Sequence, residues 1–90
     1  MRLDLFLKLT RLCPRRSVAQ QLCDAGLVLL NGRPAKPSHA VKPADVIVIR
    51  RGDREVTVRA LNVPAIRNVS RREANSLIEV VAERELNPDI

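Results

Sequence analysis

Ninety residues are enough for one domain, and with Phe6 as the single aromatic residue its core must be compact and almost wholly aliphatic. The formal net charge of +6 is uneven: eight Lys or Arg oppose two Asp from Met1 to Lys42, whereas eight Arg oppose eight Asp or Glu from Pro43 to Ile90. No apolar run approaches the roughly 18 residues of a membrane span, and the N-terminus lacks the pattern of a secretory signal, so we expect a cytoplasmic protein without a membrane partner.

The chain begins with the pattern of a short amphipathic helix. Leu3, Phe6 and Leu7 have the i, i+3, i+4 spacing of one helical face, which predicts a helix from Arg2 to Leu9. Pro14 then interrupts the pattern, because proline lacks a backbone N–H and disfavours helical conformation at the residue before it.

A second helix is predicted from Arg15 or Arg16 to Ala25, where Gly26 is the residue type that usually ends a helix. At about 100° per residue, its buried face is expected to contain Val18, Leu22 and Ala25. The opposite, outward face is expected to contain Arg16, Gln20 and Asp24, with Ser17 beside them. Arg15 is expected nearer the edge of the core, with its guanidinium emerging into solvent.

The apolar period then changes to that of short strands. Leu27–Leu30 is predicted to be a strand, Asn31-Gly32 a type I′ turn, and Arg33–Lys36 the returning strand. A β-branched strand at Val46–Ile49 and a second at Glu55–Leu61, with Val56 and Val58 on one face, are predicted to pair antiparallel across a turn at 50–53.

The C-terminal third adds a loop, a short helix and a last strand. We expect a loop between Asn62 and Val69, and Ser70 followed by Glu73 matches a capping box that starts a helix. The Ile- and Val-rich segment Leu77–Val81 favours a strand over a continuation of that helix. These elements predict a single α+β domain over residues 1–86, in which a helical N-terminal motif (about 1–50) packs on a small, mostly antiparallel sheet completed by the extension 51–86. A flexible tail is expected at 87–90.

Enzymatic chemistry is poorly supported. His39 is the only histidine, tyrosine is absent, and the acidic residues form no recognisable acid–base pair or metal site, so we expect no catalysis, metal or cofactor. Cys13 and Cys23 lack CxxC spacing, and two free thiols fit a reducing cytosol better than a disulfide does. The arginines around Cys13 could lower its pKa, but a small apolar filler between helices is the more frequent role.

The basic N-terminal half suggests a nucleic-acid partner, and its residue types indicate which kind of nucleic acid is favoured. The two helices resemble helix-turn-helix only at low resolution, and no dimerisation element accompanies them. The lack of aromatic residues argues against platforms on which single-stranded bases stack. Thirteen of the sixteen basic residues are Arg, whose planar fork binds phosphate bidentately. Folded RNA is therefore the favoured target.

Several spaced motifs in the N-terminal half resemble the S4 RNA-binding domain, also called the αL motif. The matching segments are Arg2-Leu3-Asp4, Arg15-Arg16-Ser17-x-Ala19, Gly26-x-Val28, Asn31-Gly32, Ala35-Lys36, Ser38 and Val41-Lys42-Pro43-x-Asp45. The likeness covers about Met1 to Arg50, and the number of spaced motifs makes it specific.

Within that family, the chain resembles small stand-alone members. The segments concerned are Arg2-Leu3-Asp4-x-Phe6-Leu7-Lys8, Arg11-Leu12-x-x-Arg15-Arg16, Ala35-Lys36, and Arg51-Gly52 followed by Val56-Thr57-Val58 and Leu61. Such members include the RqcP-type factors of ribosome-associated quality control and a small heat-shock relative that binds free large subunits. The resemblance implies a monomeric, non-enzymatic factor that binds rRNA of a large ribosomal subunit and peptidyl-tRNA, while a partner tailing factor directs C-terminal tailing of the nascent chain. The heat-shock relative usually carries a longer basic C-terminal extension, so the absence of one here favours the RqcP-type expectation.

The resemblance also implies which residues contact RNA. The matching positions are Arg2, Lys8, Arg15, Arg16, Ser17, Gln20, Asn31, Lys36 and Ser38. Asp4 is expected to orient arginines such as Arg2 rather than to contact RNA itself.

Two positions depart from the family pattern. Ala44 stands where a glycine usually precedes Asp45, and we predict a type I turn there, which needs no positive φ. Pro14 stands where a polar or basic residue is more common. It either removes one backbone contact at the start of the second helix or serves as a helix-entry proline.

Two further functions remain compatible with the residues. One is a generic rRNA- or tRNA-binding adaptor that uses the same face for another RNA. The other is the detached recognition domain of an RNA-modifying enzyme such as a pseudouridine synthase, which the lack of a catalytic domain disfavours.

Overall fold

The computed structural model describes residues 1–64 and 70–86, apart from the side chain of Arg71. Within them two helices are followed by four strands, a third short helix and a fifth strand. The elements in chain order are α1 (Leu3–Leu9), α2 (Arg16–Asp24), β1 (Val28–Leu30), β2 (Arg33–Pro34), β3 (Val46–Arg51), β4 (Arg54–Ala60), α3 (Arg71–Asn75) and β5 (Ile78–Glu85). The predicted α+β class, with N-terminal helices on a small antiparallel sheet, is confirmed.

The start of α1 is fixed by a distant loop. Arg2 precedes the helix without capping it through its side chain. Instead, the backbone N–H of Leu3 donates to the carbonyl of His39 (2.8 Å) and that of Asp4 donates to the carbonyl of Pro37 (3.1 Å). These bonds satisfy N–H groups that a helix leaves unpaired in its first turn. They also hold the 36–40 loop against the N-terminus of α1.

The sheet has the strand order β2-β1-β3-β4-β5, with every neighbouring pair antiparallel. The β1–β2 connection has positive φ at both Asn31 (52°) and Gly32 (87°), as the predicted type I′ turn requires. The predicted extent of β2 was wrong, because the strand ends at Pro34 rather than Lys36. The β3–β4 turn is also shorter than predicted: β3 continues through Arg51, and only Gly52 and Asp53 lie between the strands.

One face of this sheet, here called the core face, packs against α1 and α2. In its centre Ile47 pairs with Val58 and Ile49 with Val56, so Val56 and Val58 share the core face as predicted. The buried cluster also contains residues of both helices and of β1 and β4: Leu3, Phe6, Leu7, Ala19, Cys23, Val28, Leu30 and Ala60. The other side of the sheet, here called the outer face, carries Arg50, Glu55 and Arg84, which lie in register across β3, β4 and β5.

The predicted orientation of α2 was only partly right, because Val18 and Leu22 pack against the core as predicted but are not its most buried residues. Its buried residues are Ala19 and Cys23. Val18 is only half-buried and Ala25 is exposed. Arg16 and Gln20, predicted to face outward, instead turn toward α1, where both bond the carboxylate of Asp4. A fully buried acid on α1 therefore decides the rotation of α2.

The prediction for Ala44 was also wrong. The N–H of Asp45 donates to the carbonyl of Lys42 (3.1 Å) to close the turn, but Ala44 has φ of +75°. Proline at the second position and positive φ at the third are features of a type II turn, which is why glycine suits the position of Ala44. The backbone cannot relax freely, because the N–H of Ala44 also donates to the carbonyl of Ala60 (2.8 Å).

The C-terminal predictions were mostly confirmed. The Ser70 hydroxyl accepts from the N–H of Glu73 (3.1 Å) and so caps the helix as predicted. It also donates to the Glu73 carboxylate (3.1 Å), which replaces the bond to the Ser70 N–H that completes a capping box. The last element, β5, is a strand as favoured, although it runs from Ile78 to Glu85. Residues 62–64 have no regular structure, whereas the rest of the predicted loop, 65–69, and the predicted tail, 87–90, lie outside the described residues. None of the helices in the described segments is long and apolar enough to cross a membrane.

Candidate nucleic-acid interface

The carboxylate of Asp4 joins three of the predicted RNA-binding residues. Arg2 donates from Nε to Oδ1 and from Nη2 to Oδ2, both at 3.2 Å, in a bidentate pair. Arg16 donates from Nε to Oδ2 at 3.1 Å, and Gln20 donates from Nε2 to the same oxygen at 2.9 Å. The N–H of Leu5 donates to Oδ1 at 2.8 Å. We call Asp4, Arg2, Arg16 and Gln20 the Asp4 cluster.

The electrostatics of the cluster favour an ionised Asp4. Burial raises the pKa of this carboxyl, but the hydrogen bonds from Gln20, Arg16, the Leu5 N–H and Arg2 outweigh burial and hold its pKa below the ordinary value. Asp4 is completely buried, whereas the side chains of Arg2 and Arg16 are 50% and 37% exposed. The two arginines and the acid together therefore present one net positive charge at the surface.

The hydrogen bonds within the cluster leave the outer ends of both guanidinium groups available. Arg16 uses only its Nε and Arg2 only its Nε and Nη2 in bonds to described residues, whereas a guanidinium has five N–H donors. The remaining donors can form the bidentate contacts that phosphate oxygens accept. Because Asp4 fixes the inner edge of each guanidinium, these donors are oriented before a ligand arrives.

Lys36 and Ser38 lie beside the start of α1. The N–H of His39 donates to the carbonyl of Lys36 (3.0 Å), which closes a turn whose Pro37 carbonyl accepts from the N–H of Asp4. Both side chains are exposed. The fold therefore brings this turn next to the Asp4 cluster through backbone contacts.

The other predicted residues are not joined to the cluster by hydrogen bonds. Lys8 is exposed in the last turn of α1, four residues after Asp4 and so on the same side of that helix. Arg15 precedes α2 and Ser17 is its second residue, and both are exposed. The expectation that Arg15 lies at the core edge was wrong, because its extended backbone is outside the helix.

Asn31 has a structural role that its side chain fulfils completely. Its Oδ1 accepts from the N–H of Val46 (2.9 Å), and its Nδ2 donates to the carboxylate of Asp45 (3.0 Å). These bonds hold the β1–β2 turn against the start of β3. The second N–H of its amide and the second lone pair of Oδ1 remain available for a contact with RNA.

Sequence reasoning expected Asp4 to orient Arg2, and the geometry agrees, but it missed Arg16 and Gln20 as further partners. Hydrophobic periodicity could not find them, because it assigns polar residues to the solvent side of a helix. The sequence feature that could have indicated these partners is an acid in the first turn of α1, followed by an arginine-rich second helix. The nine residues carried over from the resemblance remain predictions as RNA contacts.

The cysteines and metal-ligand residues provide no second chemistry within the described segments. Cys13 and Cys23 are both buried and free, as expected for apolar fillers. Burial raises the pKa of the Cys13 thiol, and burial together with nearby Cys13, Asp24 and Asp4 raises the pKa of Cys23 to about 11. Residues 1–64 and 70–86 contain no group of three or more His, Cys, Asp or Glu that could hold a metal ion.

A model of the S4 domain family matches residues 1–47, which contain α1, α2, β1, β2 and the Asp4 cluster. The chain belongs to the S4 domain family. This RNA-binding domain covers the segment for which the sequence motifs predicted it, and the strands that follow extend its sheet.

Relatives of this S4 domain protein match it well beyond the domain itself. The chain is 42% identical over 97% of its length to a protein of Halalkalibacterium halodurans named RQC P-site tRNA stabilizing factor, of which it covers 97%. It is 38% identical over 96% of its length to a Bacillus subtilis protein of the same name, of which it covers 98%. Among solved structures, the trimeric structure of Vibrio cholerae Heat Shock Protein 15 is similar with a TM-score of 0.81 and 33% identity, covering 91% of this chain and 82% of that one.

Proposed function

We propose that this chain is an RNA-binding factor of ribosome-associated quality control, which binds large ribosomal subunits obstructed by peptidyl-tRNA. The observation that carries the proposal is its similarity, over nearly the whole of both chains, to relatives named RQC P-site tRNA stabilizing factor. It acts in the cytoplasm as a monomeric binding factor and has no catalytic step of its own.

The Asp4 cluster supplies the physical basis for RNA binding. Arg2 and Arg16 present oriented guanidinium forks at the surface, and Gln20 is held beside them by the same carboxylate. In this proposal the forks contact phosphates and base edges of rRNA and tRNA. Lys8, Arg15, Ser17, Lys36 and Ser38 contact the neighbouring RNA backbone, and Asn31 mainly supports the β1–β2 turn.

Holding the obstructed tRNA in place would support a partner tailing factor that elongates the nascent chain without mRNA. The contribution of this chain is positional, because an oriented tRNA is a prerequisite for transfer of the next residue. Residues 1–86 act as one domain in this proposal, with the extension 51–86 bracing the N-terminal motif.

Co-sedimentation with purified ribosomal particles tests the proposal. The full chain is mixed with large subunits that carry peptidyl-tRNA, with vacant large subunits, with small subunits and with free tRNA. We expect the tightest binding to the obstructed large subunits. The apparent affinity should fall by roughly 0.7–0.9 log units per log unit of salt for each phosphate neutralised.

Variants of the Asp4 cluster show whether this cluster is responsible for binding to the ribosomal subunits. Hydrogen bonds to charged groups contribute about 1.5–3 kcal/mol, so Arg2→Ala and Arg16→Ala should each weaken binding by about tenfold or more. Arg59→Ala is the matched control, because Arg59 is an exposed arginine paired with exposed Glu79 on β5. Binding only to free tRNA or small subunits would contradict the proposed function, as would unchanged binding by both cluster variants.

A second candidate is a ribosome-recycling role of the heat-shock type, which the similarity to Vibrio cholerae Heat Shock Protein 15 favours. The same experiment separates the two functions. Equal or tighter binding to vacant large subunits than to obstructed ones would favour this second candidate.

A further inference from the structure

The outer face of the sheet contains a second acid that is clamped by two arginines. Glu55 on β4 lies directly between Arg50 on β3 and Arg84 on β5 in the strand register. Arg50 donates from Nε to Oε2 at 2.8 Å, and Arg84 donates from Nε to Oε1 at 3.0 Å. We call these three residues the Glu55 cluster.

The Glu55 cluster repeats the construction of the Asp4 cluster. The side chain of Glu55 is 10% exposed, whereas those of Arg50 and Arg84 are 45% and 66% exposed. Hydrogen bonds from Arg50 and Arg84 hold the pKa of Glu55 below its ordinary value, so the group carries one net positive charge. Each arginine uses only its Nε in bonds to described residues. The four remaining N–H donors of each guanidinium are therefore available.

The two clusters lie on opposite sides of the sheet. Asp4, Arg2 and Arg16 belong to the helices, which pack on the core face, whereas the Glu55 cluster is on the outer face. Its backbone positions span three adjacent strands, so Arg50 and Arg84 start about 10 Å apart and converge on one carboxylate. Two guanidinium groups at this short separation can contact one phosphate or two consecutive phosphates.

We infer that the Glu55 cluster is a second binding site for an RNA sugar–phosphate backbone, with Arg50 and Arg84 as its contact residues and Glu55 as a positioning residue. A chain with arginine forks on both sides of its sheet can lie between two RNA segments. In its choice of RNA as ligand, this inference rests on the proposed ribosomal function.

An ordinary cross-strand ion pair on the same face shows why this cluster differs. Arg59 donates from Nη1 to Oε1 of Glu79 at 2.9 Å, and both side chains are about half exposed. That pair has no net charge and no buried acid to orient its arginine. Solvent-exposed pairs of this kind are weakly ordered and contribute little to stability or recognition. The Glu55 cluster instead combines a buried acid with an excess guanidinium.

RNA is favoured over an acidic protein because the contact groups are two planar guanidinium forks that bond one carboxylate from both sides. Arginine forks match phosphate geometry and stay charged at every relevant pH. Hot spots of protein interfaces instead centre on buried aromatic or apolar anchors. The outer-face neighbours of the cluster are Thr57, Ala82 and the half-buried Val48, and none of them is aromatic.

The test measures binding of the full chain to obstructed large subunits and, separately, to protein-free rRNA and tRNA extracted from them, over a series of salt concentrations. The variants are the double variant Arg50→Ala/Arg84→Ala, the double variant Arg50→Lys/Arg84→Lys, Glu55→Gln, and Arg59→Ala as control. Thermal unfolding shows that each variant is folded at the assay temperature. Arg16→Ala reports on the Asp4 cluster in parallel.

We expect the double alanine variant to bind both targets at least about tenfold more weakly, with the salt slope reduced by roughly 0.7–0.9 for each lost phosphate contact. The double lysine variant should keep most of the salt slope but lose affinity, because lysine lacks the fork. Glu55→Gln is the most discriminating variant. It makes the surface more positive, so attraction by charge alone would strengthen binding, whereas loss of positioning weakens it.

Three outcomes would overturn the inference. One is wild-type binding by the double alanine variant while Arg16→Ala binds weakly, in which case the proposed function stands and only the second site fails. Another is tighter RNA binding by Glu55→Gln. The third is weaker binding to subunits but unchanged binding to protein-free RNA, which would assign the surface to a protein. Unchanged binding by Arg16→Ala and the double alanine variant together would refute both the proposed function and the second site.

Discussion

Replacing Ala44 with glycine should stabilise the fold, although alanine is usually the more stabilising of the two residues. Ala44 has φ of +75°, a left-handed conformation that costs a residue with a Cβ about 1–2 kcal/mol. Glycine avoids that cost but gains conformational freedom in the unfolded chain, which lowers stability by about 0.4–1 kcal/mol. The difference favours Ala44→Gly by up to about 1.6 kcal/mol, with a central value of about 0.8 kcal/mol.

Urea and thermal unfolding followed by circular dichroism measure this change. For a chain of this size, a gain of about 1 kcal/mol raises the Tm by about 4–8 °C, so we expect an increase of a few degrees. Ala25→Gly is the matched control. Ala25 is also exposed and ends a structural element, but its φ is −81°. Glycine there should only destabilise, by about 0.4–1 kcal/mol.

The signs of the stability changes in Ala44→Gly and Ala25→Gly test the geometry of the turn. Opposite signs for Ala44→Gly and Ala25→Gly are expected if the Lys42–Asp45 turn has positive φ at its third position. A loss of stability in both variants would refute the type II geometry and restore the type I turn predicted from the sequence.

Three further predictions concern the Asp4 cluster and the thiols. Arg16→Ala should lower the free energy of unfolding by about 1 kcal/mol, because it removes a charge-assisted bond to a buried acid. This is less than the about 1.5–3 kcal/mol of such bonds, since the Arg16 side chain is 37% exposed and partly screened by solvent. Exposed Arg15→Ala should change the stability little, and equal effects in urea titrations would contradict the pairing of Arg16 with Asp4. Because the folded pKa of Asp4 lies below its ordinary value of 3.8, the ionised carboxylate stabilises the fold fully above that value, and this stabilisation disappears as the pH falls through the folded pKa. The stability difference between wild type and Asp4→Asn should therefore shrink on acidification. A difference independent of pH would argue against an ionised Asp4. Cys23, with its pKa raised to about 11, should react with iodoacetamide at pH 8 far more slowly in the folded chain than in urea; equal rates measured by mass spectrometry would contradict its burial.

The fold was largely predictable because local patterns and tertiary packing agree in most of this chain. The Asn31-Gly32 dipeptide predicts a turn with two positive φ values, and the Ser70–Glu73 capping box predicts a helix start, since both depend on neighbouring residues. The pairing of β3 with β4 followed from two β-branched segments around a short turn. Such features need no information from distant parts of the chain.

The errors occur where a distant contact overrides a local preference. Ala44 is forced to positive φ in a turn whose N–H groups bond Lys42 and Ala60, and Ala60 lies sixteen positions along the chain. The rotation of α2 was misjudged because its polar residues satisfy a buried acid on another helix. Hydrophobic periodicity cannot predict that an acid is buried when its hydrogen-bond partners lie on another helix.

The buried acids Asp4 and Glu55 explain why charge alone is a poor guide to the two candidate binding surfaces. Asp4 and Glu55 each reduce the net positive charge, and simple attraction to a polyanion would therefore be stronger without them. A free arginine, however, loses about 2 kcal/mol of side-chain rotamer entropy when it is fixed. When a buried carboxylate holds the Nε, much of that entropy is lost during folding rather than during binding, so the ligand meets an oriented fork. The candidate site in the N-terminal half of this chain therefore depends on Asp4, which orients the arginines, as well as on the charge of its eight basic residues.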